Sequence, residues 1–290
     1  MKQQRKRLLA AALVGPLLFL GGCAAGEPDA SSRGTEREDV LPSLEVTVLD
    51  VGKADAILIQ VKGRAVLIDT AGDGDGKTVA AALRERDISR LDALILSHLD
   101  KDHIGGADRS LMEFAVDRLI QPVHTEDSGD YKEYREACVQ KGLEPEELAE
   151  PLTFCLERAD FRLLPAAKTT YAKDNDYSIM AELEYGEKRF LFAGDAEDER
   201  LREYLDGTVR PFDYLKVPHH GRESAMSAAF FRAVRPRCAV ITCSGKNPPD
   251  DGVLAALRDG GAEVFLTEEG PVRAVTDGRE LRVTQASPDE

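Results

Sequence analysis

Three β-rich runs follow one another early in the chain. Leu44 to Val51 (LEVTVLDV), Asp55 to Val61 (DAILIQV) and Ala65 to Asp69 (AVLID) are divided by Gly52 and Gly63, and predict adjacent strands. A turn-rich loop from Asp69 to Gly76 precedes a helical pattern over Thr78 to Arg86. The apolar run Leu91 to Ser97 predicts a buried strand, Asp108 to Phe114 a helix and Arg118 to Val123 another strand. Residues 125–150 are polar and helix-prone, and read as an insertion over the active face. Two short strands, Leu152 to Glu157 and Phe161 to Leu164, come next, then a hairpin (Ser178 to Tyr185 with Arg189 to Ala193) turned at Gly186. The remainder alternates: a helix at Ala196 to Leu205, a strand at Tyr214 to Val217, a helix at Ala225 to Val234, a strand at Cys238 to Cys243 and a helix at Val253 to Leu257. Strands at 263–267, 272–276 and 280–284 close the chain. Two β-rich halves, each interleaved with helices, predict an α/β layered fold with the sheets at its centre.

The N-terminus has a different character. Lys2, Arg5, Lys6 and Arg7 precede an apolar run from Leu8 to Leu20, then Leu20-Gly21-Gly22-Cys23. This is the pattern of a secretory signal, and the run falls short of the about 20 apolar residues a membrane span needs. Leu-Gly-Gly-Cys resembles a bacterial lipobox, which implies a lipoprotein signal peptide at 1–22, cleavage before Cys23 and lipid on that cysteine. Residues 23–42 hold small, polar and charged residues and read as a flexible tether. The expected location is therefore extracytoplasmic, lipid-anchored to the cell membrane. About 245 residues remain, enough for one domain, 43–290, with a real core.

The densest chemistry lies at residues 97–106, Ser-His-Leu-Asp-Lys-Asp-His-Ile-Gly-Gly. His98, Asp100, Asp102 and His103 fall within six residues, two of only five histidines in the chain, directly after a core strand. Imidazoles and carboxylates bind divalent metals. Asp69, His98, Asp195 and His219 all lie at strand ends, where loops carry chemistry on a rigid frame, and so predict one shared site. Asp50, Asp55 and Asp69 lie near the same face as turn residues or as carboxylates orienting a ligating histidine. His124 reads as an incidental surface residue.

Charge narrows the partners. With 38 basic and 53 acidic residues the net charge is −15, and loss of the signal peptide would make it more acidic. Tight binding to long nucleic acid through overall charge is disfavoured, because phosphate neutralisation dominates such affinity; a small basic groove is compatible. Cys138 and Cys155 flank the insert and could pair in an oxidising compartment. Cys238 and Cys243 lie five apart in one strand, point to opposite faces and are expected to be free thiols.

The motifs together resemble the metallo-β-lactamase superfamily. His98-x-Asp100-x-Asp102-His103-x-Gly105-Gly106 looks like its signature, with Asp in place of the usual second His. Leu49-Asp50-Val51-Gly52 leading into Asp55-Ala56-Ile57-Leu58-Ile59, Phe192-Ala193-Gly194-Asp195, and Lys216-Val217-Pro218-His219-His220-Gly221 resemble the ComEC-like branch, the hydrolase domain of competence DNA-uptake proteins. The resemblance spans roughly residues 44–270. It implies an αββα four-layer sandwich holding two divalent metal ions, Zn or Mn. His98 and Asp100 would hold the first, Asp102 and His103 the second, and Asp195 would bridge them. One of His219 and His220 would complete the second, with the other orienting substrate or shuttling a proton. Asp174 or Asn175 would stand where many relatives carry a further His. Asp102 and His220 would be catalytic, and Lys216, Asn175 and Ser178 would face substrate, although packing or charge balance is an alternative role for Lys216. Gly52-Lys53-Ala54-Asp55 departs from the Gly-Gln-Gly-Asp common in that branch, and Ser244-Gly245-Lys246-Asn247 lacks a late His.

The implied function is a cell-surface metal-dependent hydrolase using a two-metal-activated hydroxide, a phosphodiesterase acting on nucleic acid or a smaller phosphodiester. The same site permits hydrolysis of another ester, lactone, phosphocholine or amide, and a non-catalytic binding lipoprotein with a relic site is a third reading. Lysine or arginine beside the site (Lys53, Lys101, Lys216, Arg222, Lys246) would favour a nuclease, and an acidic rim the other ester. No transmembrane channel is expected in this chain, and a monomer is expected.

Overall fold

The computed structural model describes residues 43–286; the expected signal peptide, Cys23 and the whole of the expected tether lie outside them. In chain order the strands are β1 (Leu44–Val48), β2 (Ile57–Val61), β3 (Arg64–Ile68), β4 (Arg90–Leu91), β5 (Ala93–Ile95), β6 (Ala115–Val116), β7 (Leu119–Pro122), β8 (Glu146–Leu148), β9 (Leu152–Leu156) and β10 (Ala159–Leu164). The later ones are β11 (Met180–Tyr185), β12 (Lys188–Phe192), β13 (Tyr214–Lys216), β14 (Cys238–Ile241), β15 (Glu263–Leu266), β16 (Val272–Thr276) and β17 (Leu281–Gln285). The helices are α1 (Gly76–Arg84), α2 (Lys101–Ile104), α3 (Ala107–Glu113), α4 (Gly129–Lys141), α5 (Asp198–Asp206), α6 (Ser227–Val234) and α7 (Asp251–Asp259).

Two sheets form the centre. The first has the order β17-β16-β1-β2-β3-β5-β7-β8 and the second β15-β14-β13-β12-β11-β10-β9; β4 and β6 make a separate ribbon. Strand parity explains the layers, since successive side chains point to opposite faces. Leu44, Val46, Val48, Ile57, Ile59, Val66 and Ile68 face Phe161, Leu163, Leu183, Phe190 and Phe192 of the other sheet in one core. The intervening Leu58, Leu67 and Leu94 turn outward against Val79, Leu83 and Leu111 of α1 and α3. Leu191, Leu215 and Ile241 turn outward against Leu201, Phe230, Val234 and Leu257 of α5, α6 and α7. The result is the αββα four-layer sandwich that the resemblance implies.

Each sheet is antiparallel in one part and parallel in another. β3, β5, β7 and β8 are mutually parallel, as are β12, β13, β14 and β15. Parallel strands place all their C-terminal loops on one edge, and ligand crevices in open α/β sheets form there. The loops after β3, β5, β12, β13 and β14 carry Asp69, His98, Asp195, His219–His220 and Thr242.

Two expectations change. Residues 125–150 are not an appended insertion: α4 is the crossover between parallel β7 and β8, and its Tyr134, Ala137 and Cys138 are buried in the outer core. Polar composition hid this because only one narrow side of the helix is apolar. Cys138 and Cys155 are both free; Cys138 lies under α4 behind the first sheet, while Cys155 is exposed on β9 of the second, so a pairing would have to cross the sandwich. Cys238 and Cys243 are free as expected, one packed on the inter-sheet core and the other on the α5–α7 side.

Gly105 and Gly106 have ordinary helical or near-helical backbone angles, so they are required by space. A Cβ on Gly105 would lie 2.2 Å from Asp73 N, and one on Gly106 2.4 Å from Thr70 O. The loop after β3 packs directly on them. Gly106→Ala is expected to destabilise the protein by about 3 kcal/mol, the upper end of overpacking costs because the opposing atoms are backbone. A shift in denaturant midpoint measures it, and an unchanged midpoint refutes it.

Candidate metal centre

Histidine orientation is fixed from outside the site. His103 Nδ1 lies 2.8 Å from Asp69 Oδ2, and a carboxylate accepts, so this nitrogen carries its proton outward. Asp69 is held in turn by Ser97 N and Ser97 Oγ, both at 2.7 Å. That leaves the Ser97 hydroxyl as acceptor for His98 Nδ1 at 3.2 Å. Thr242 Oγ1 donates to Asp55 Oδ1 at 2.7 Å and therefore accepts from His220 Nδ1 at 2.8 Å. All three imidazoles thus turn Nε2 inward.

Those inward atoms meet one carboxylate. His103 Nε2 is 3.3 Å from Asp195 Oδ1, and His220 Nε2 is 3.2 Å from Asp195 Oδ2 and 3.5 Å from Asp102 Oδ2. His98, His103 and Asp195 form one set of convergent donors, and Asp102, His103 and His220 a second. His98 Nε2, His103 Nε2, His220 Nε2 and Asp195 Oδ1 are buried without a hydrogen-bond partner. Leaving one such atom unsatisfied costs about 1–3 kcal/mol. Four of them at one point, all metal-ligating types, fit divalent cations. Asp100 approaches His98 Nε2 at 3.7 Å from the solvent side.

Protonation follows the same logic. Burial opposes charge on His103, but Asp195 and Asp69 outweigh it and hold its pKa well above the ordinary 6.5. Burial likewise opposes charge on His220, outweighed by Asp195 and Asp102. Burial pushes the Asp102 carboxyl up, yet His220, His103 and Lys53 bring it far below the usual carboxylate range. A divalent cation competes with these protons for the same lone pairs.

The backbone is distorted here. Asp69 (φ 59), Ala71 (φ 62), His219 (φ 48) and His220 (φ 51) adopt left-handed angles, conformations that non-glycine residues take at a cost and that cluster at functional loops. The turn Pro218–Gly221 after β13 uses the pair to send its histidines apart. His220 goes to Asp195. His219 goes outward, with Nε2 3.4 Å from Asn175 Nδ2 and Nδ1 3.5 Å from Glu197 Oε1. Burial lowers its pKa below 6.5, so it is a neutral imidazole at the rim.

Other expected contacts move. Lys216 does not face substrate: it is fully buried and paired with Asp55, with Nζ 3.4 Å from Gly194 O. Strand parity explains this, since Lys216 shares the inter-sheet side of β13 with Tyr214. Ser178 is also fully buried, and its Oγ accepts from Asp195 N at 3.1 Å, so it holds the Asp195 loop rather than a substrate. Asp174 is absent from the central groups; it is mostly exposed and faces His124 Nε2 at 3.6 Å. Asn175 stays at the rim, donating to Glu197 Oε1 at 2.8 Å.

A groove of about 680 Å³ opens beside the centre, lined by Lys53 and Lys101 but also by Asp73, Asp75, Asp102 and Asp130. Lys53 Nζ is bound to Asp102 Oδ2 at 2.8 Å, and Arg222 is paired with Asp250 at 2.9 Å. The rim is mixed in sign.

Residues 49–245 match the family model described as Metallo-beta-lactamase superfamily. The chain belongs to the metallo-beta-lactamase superfamily. Among relatives, ComE operon protein 3 of Bacillus subtilis (strain 168) is 29% identical over 252 residues, covering 78% of this chain and 32% of that protein. Recombination protein 2 of Haemophilus influenzae is 29% identical over 218 residues, covering 71% of this chain and 25% of that protein. Competence protein ComA of Neisseria gonorrhoeae is 26% identical over 241 residues, covering 80% and 32%. The ComEC-like branch is thereby supported, and this chain spans a third or less of the length of these relatives. Among solved structures, the metallo-beta-lactamase fold protein YhfI from Bacillus subtilis superposes with a TM-score of 0.52 at 13% identity, over 78% of this chain and 96% of that one. CmlA, a diiron β-hydroxylase from Streptomyces venezuelae, gives 0.53 at 14%, over 85% and 54%. Both likenesses concern the fold.

For a metallo-beta-lactamase superfamily member, the pattern Asp69–His103 was readable in outline as a carboxylate orienting a ligand. Thr242 and Glu197 were not singled out. A threonine in an apolar strand reads as a strand former, and the only clue was Asp55, a buried acid that has to find partners elsewhere in the chain.

Proposed function

We propose that this chain is a metal-dependent phosphodiesterase that acts on a nucleic-acid strand outside the cytoplasmic membrane, anchored through lipid on Cys23. The observation that carries the reading is the convergence of three inward Nε2 atoms on Asp195. His98, Asp100 and Asp195 would hold one ion, and Asp102, His103, Asp195 and His220 a second, Zn²⁺ or Mn²⁺. Such ions lower the pKa of water near neutrality and stabilise attacking and leaving oxygens of a phosphoryl group. The mixed carboxylate and imidazole donor set suits either metal.

The chain's own groups supply the rest. Lys53 and Lys101 flank the groove and can meet phosphate oxygens. The Asn175 amide donates to His219 Nε2 and holds this neutral imidazole at the rim, beside the groove. The names of the competence-protein relatives favour DNA as the polymer. A second reading, a small uncharged or cationic ester, draws support from Asp73, Asp75 and Asp130 on the same groove.

Residues 43–290 loaded with Mn²⁺ or Zn²⁺ are expected to cleave both bis-p-nitrophenyl phosphate and single-stranded DNA. DNA cleavage should weaken steeply with added salt, as phosphate contacts require. Cleavage of the small diester with DNA left intact would shift the assignment to the small substrate. Metal uptake without cleavage of either would refute the phosphodiesterase reading.

A further inference from the structure

His124 is not the incidental surface residue its sequence position suggested. Its side chain is 18% exposed, and its ring stacks on Tyr177 with centroids 3.9 Å apart and planes at 13°. Two carboxylates converge on its Nε2: Glu126 Oε1 at 2.9 Å and Asp174 Oδ1 at 3.6 Å. The three donors lie within 4.8 Å of one another. They share no residue with the central groups.

The electrostatics leave this triad short of positive charge. An Nε2–H makes one good hydrogen bond, here to Glu126, and 3.6 Å to Asp174 is beyond that range. Among the described residues no lysine or arginine pairs with either carboxylate. A divalent cation in place of the proton would bind all three atoms. Donors about 2.1 Å from a tetrahedral zinc stand about 3.4 Å apart, a value that 2.9 and 3.6 Å bracket. Small rotations of the two carboxylates would suffice, because Tyr177 already fixes the ring plane.

We propose that His124, Glu126 and Asp174 form a separate site for a divalent transition-metal ion, Zn²⁺ or Mn²⁺, with its remaining positions open to water. The donors come from both sheets: His124 and Glu126 follow β7, and Asp174 opens the turn Asp174–Tyr177 that leads to β11. The next residue, Asn175, reaches Glu197 and His219. An ion here pins the rim of the central site across the two halves of the sandwich.

The test is zinc stoichiometry by equilibrium dialysis and elemental analysis, independent of any hydrolytic activity. Wild type is expected to retain one more zinc per chain than His124→Ala and than Glu126→Gln, which keeps side-chain size should the alanine variant fold poorly. The same difference of one is expected when Asp195→Ala is present in both members of the comparison, which separates this site from the central one. Equal zinc in wild type and in both variants overturns the proposal.

Discussion

Asp195→Ala is expected to lower phosphodiester hydrolysis by about 10³-fold or more, on the scale of losing a preorganised group at the reacting centre. The variant should also retain at least one metal ion fewer per chain. The reason is geometric. Asp195 Oδ1 faces His103 and Oδ2 faces His220, and the same carboxylate groups with His98 and His103, so it stands at the middle of the convergent donors. Folding should survive, because the alanine removes a buried charge whose partners are themselves ligands. Burial raises the Asp195 carboxyl, but His220 and His103 hold it well below the ordinary range. Rate and metal content are measured on the same preparation. Full retention of metal with full activity would remove Asp195 from the centre.

The largest stability effect is expected at Lys216→Met. This ammonium is fully buried against Asp55, with Asp195 Oδ1 at 3.8 Å. Removing one member of a buried ion pair leaves the other uncompensated and costs about 3–5 kcal/mol, or about 6–20 °C in Tm for a domain of this size. Asp55→Asn in the same chain should restore part of the loss, since an amide still accepts from Thr242 without carrying charge. The pH dependence has a definite sign. Burial raises Asp55, but Lys216, His103 and His220 bring it below its ordinary 3.8, so its stabilisation is present above that value and lost as pH falls through the folded value. Burial lowers Lys216, but Asp55 and Asp195 hold it above 10.5, so its stabilisation is present below that value and lost as pH rises through the folded one. The pair therefore stabilises throughout the neutral range, and the deficit of Lys216→Met should be flat there. A Tm within about 2 °C of wild type would refute the buried-pair assignment.

Much of the architecture was legible because the dominant signals are local. Period-two apolar runs marked nearly every long strand, and glycines marked the turns. The six-residue window from His98 to His103 disclosed the centre because its ligands are neighbours in sequence. What escaped depends on tertiary placement. Lys216 read either as a substrate contact or as a packing and charge-balance residue, and its burial against Asp55 between the sheets settles it as the second. Ser178 looked like a rim residue, yet Gly194 packs so closely on it that a Cβ there would lie 3.0 Å from the Ser178 Oγ, which places the serine beneath the Asp195 loop. Thr242 and Asp55 touch across 187 positions, a separation no window of periodicity can span. α4 hid its buried Tyr134 inside a polar segment.

The pairing of β1 with β16 in register from Leu44↔Thr276 to Val48↔Val272 bears on how the protein comes into being. The first strand pairs with β2 on one side as soon as that strand is made, but its other edge stays unpaired until nearly the whole chain is complete. Such non-local pairing slows folding and leaves incomplete chains prone to aggregation. Thr242, which sets the His220 ring, also arrives late. Chains truncated before residue 272 are expected neither to close the first sheet nor to cover the free edge of β1, and the expected outcome is loss of solubility in expression.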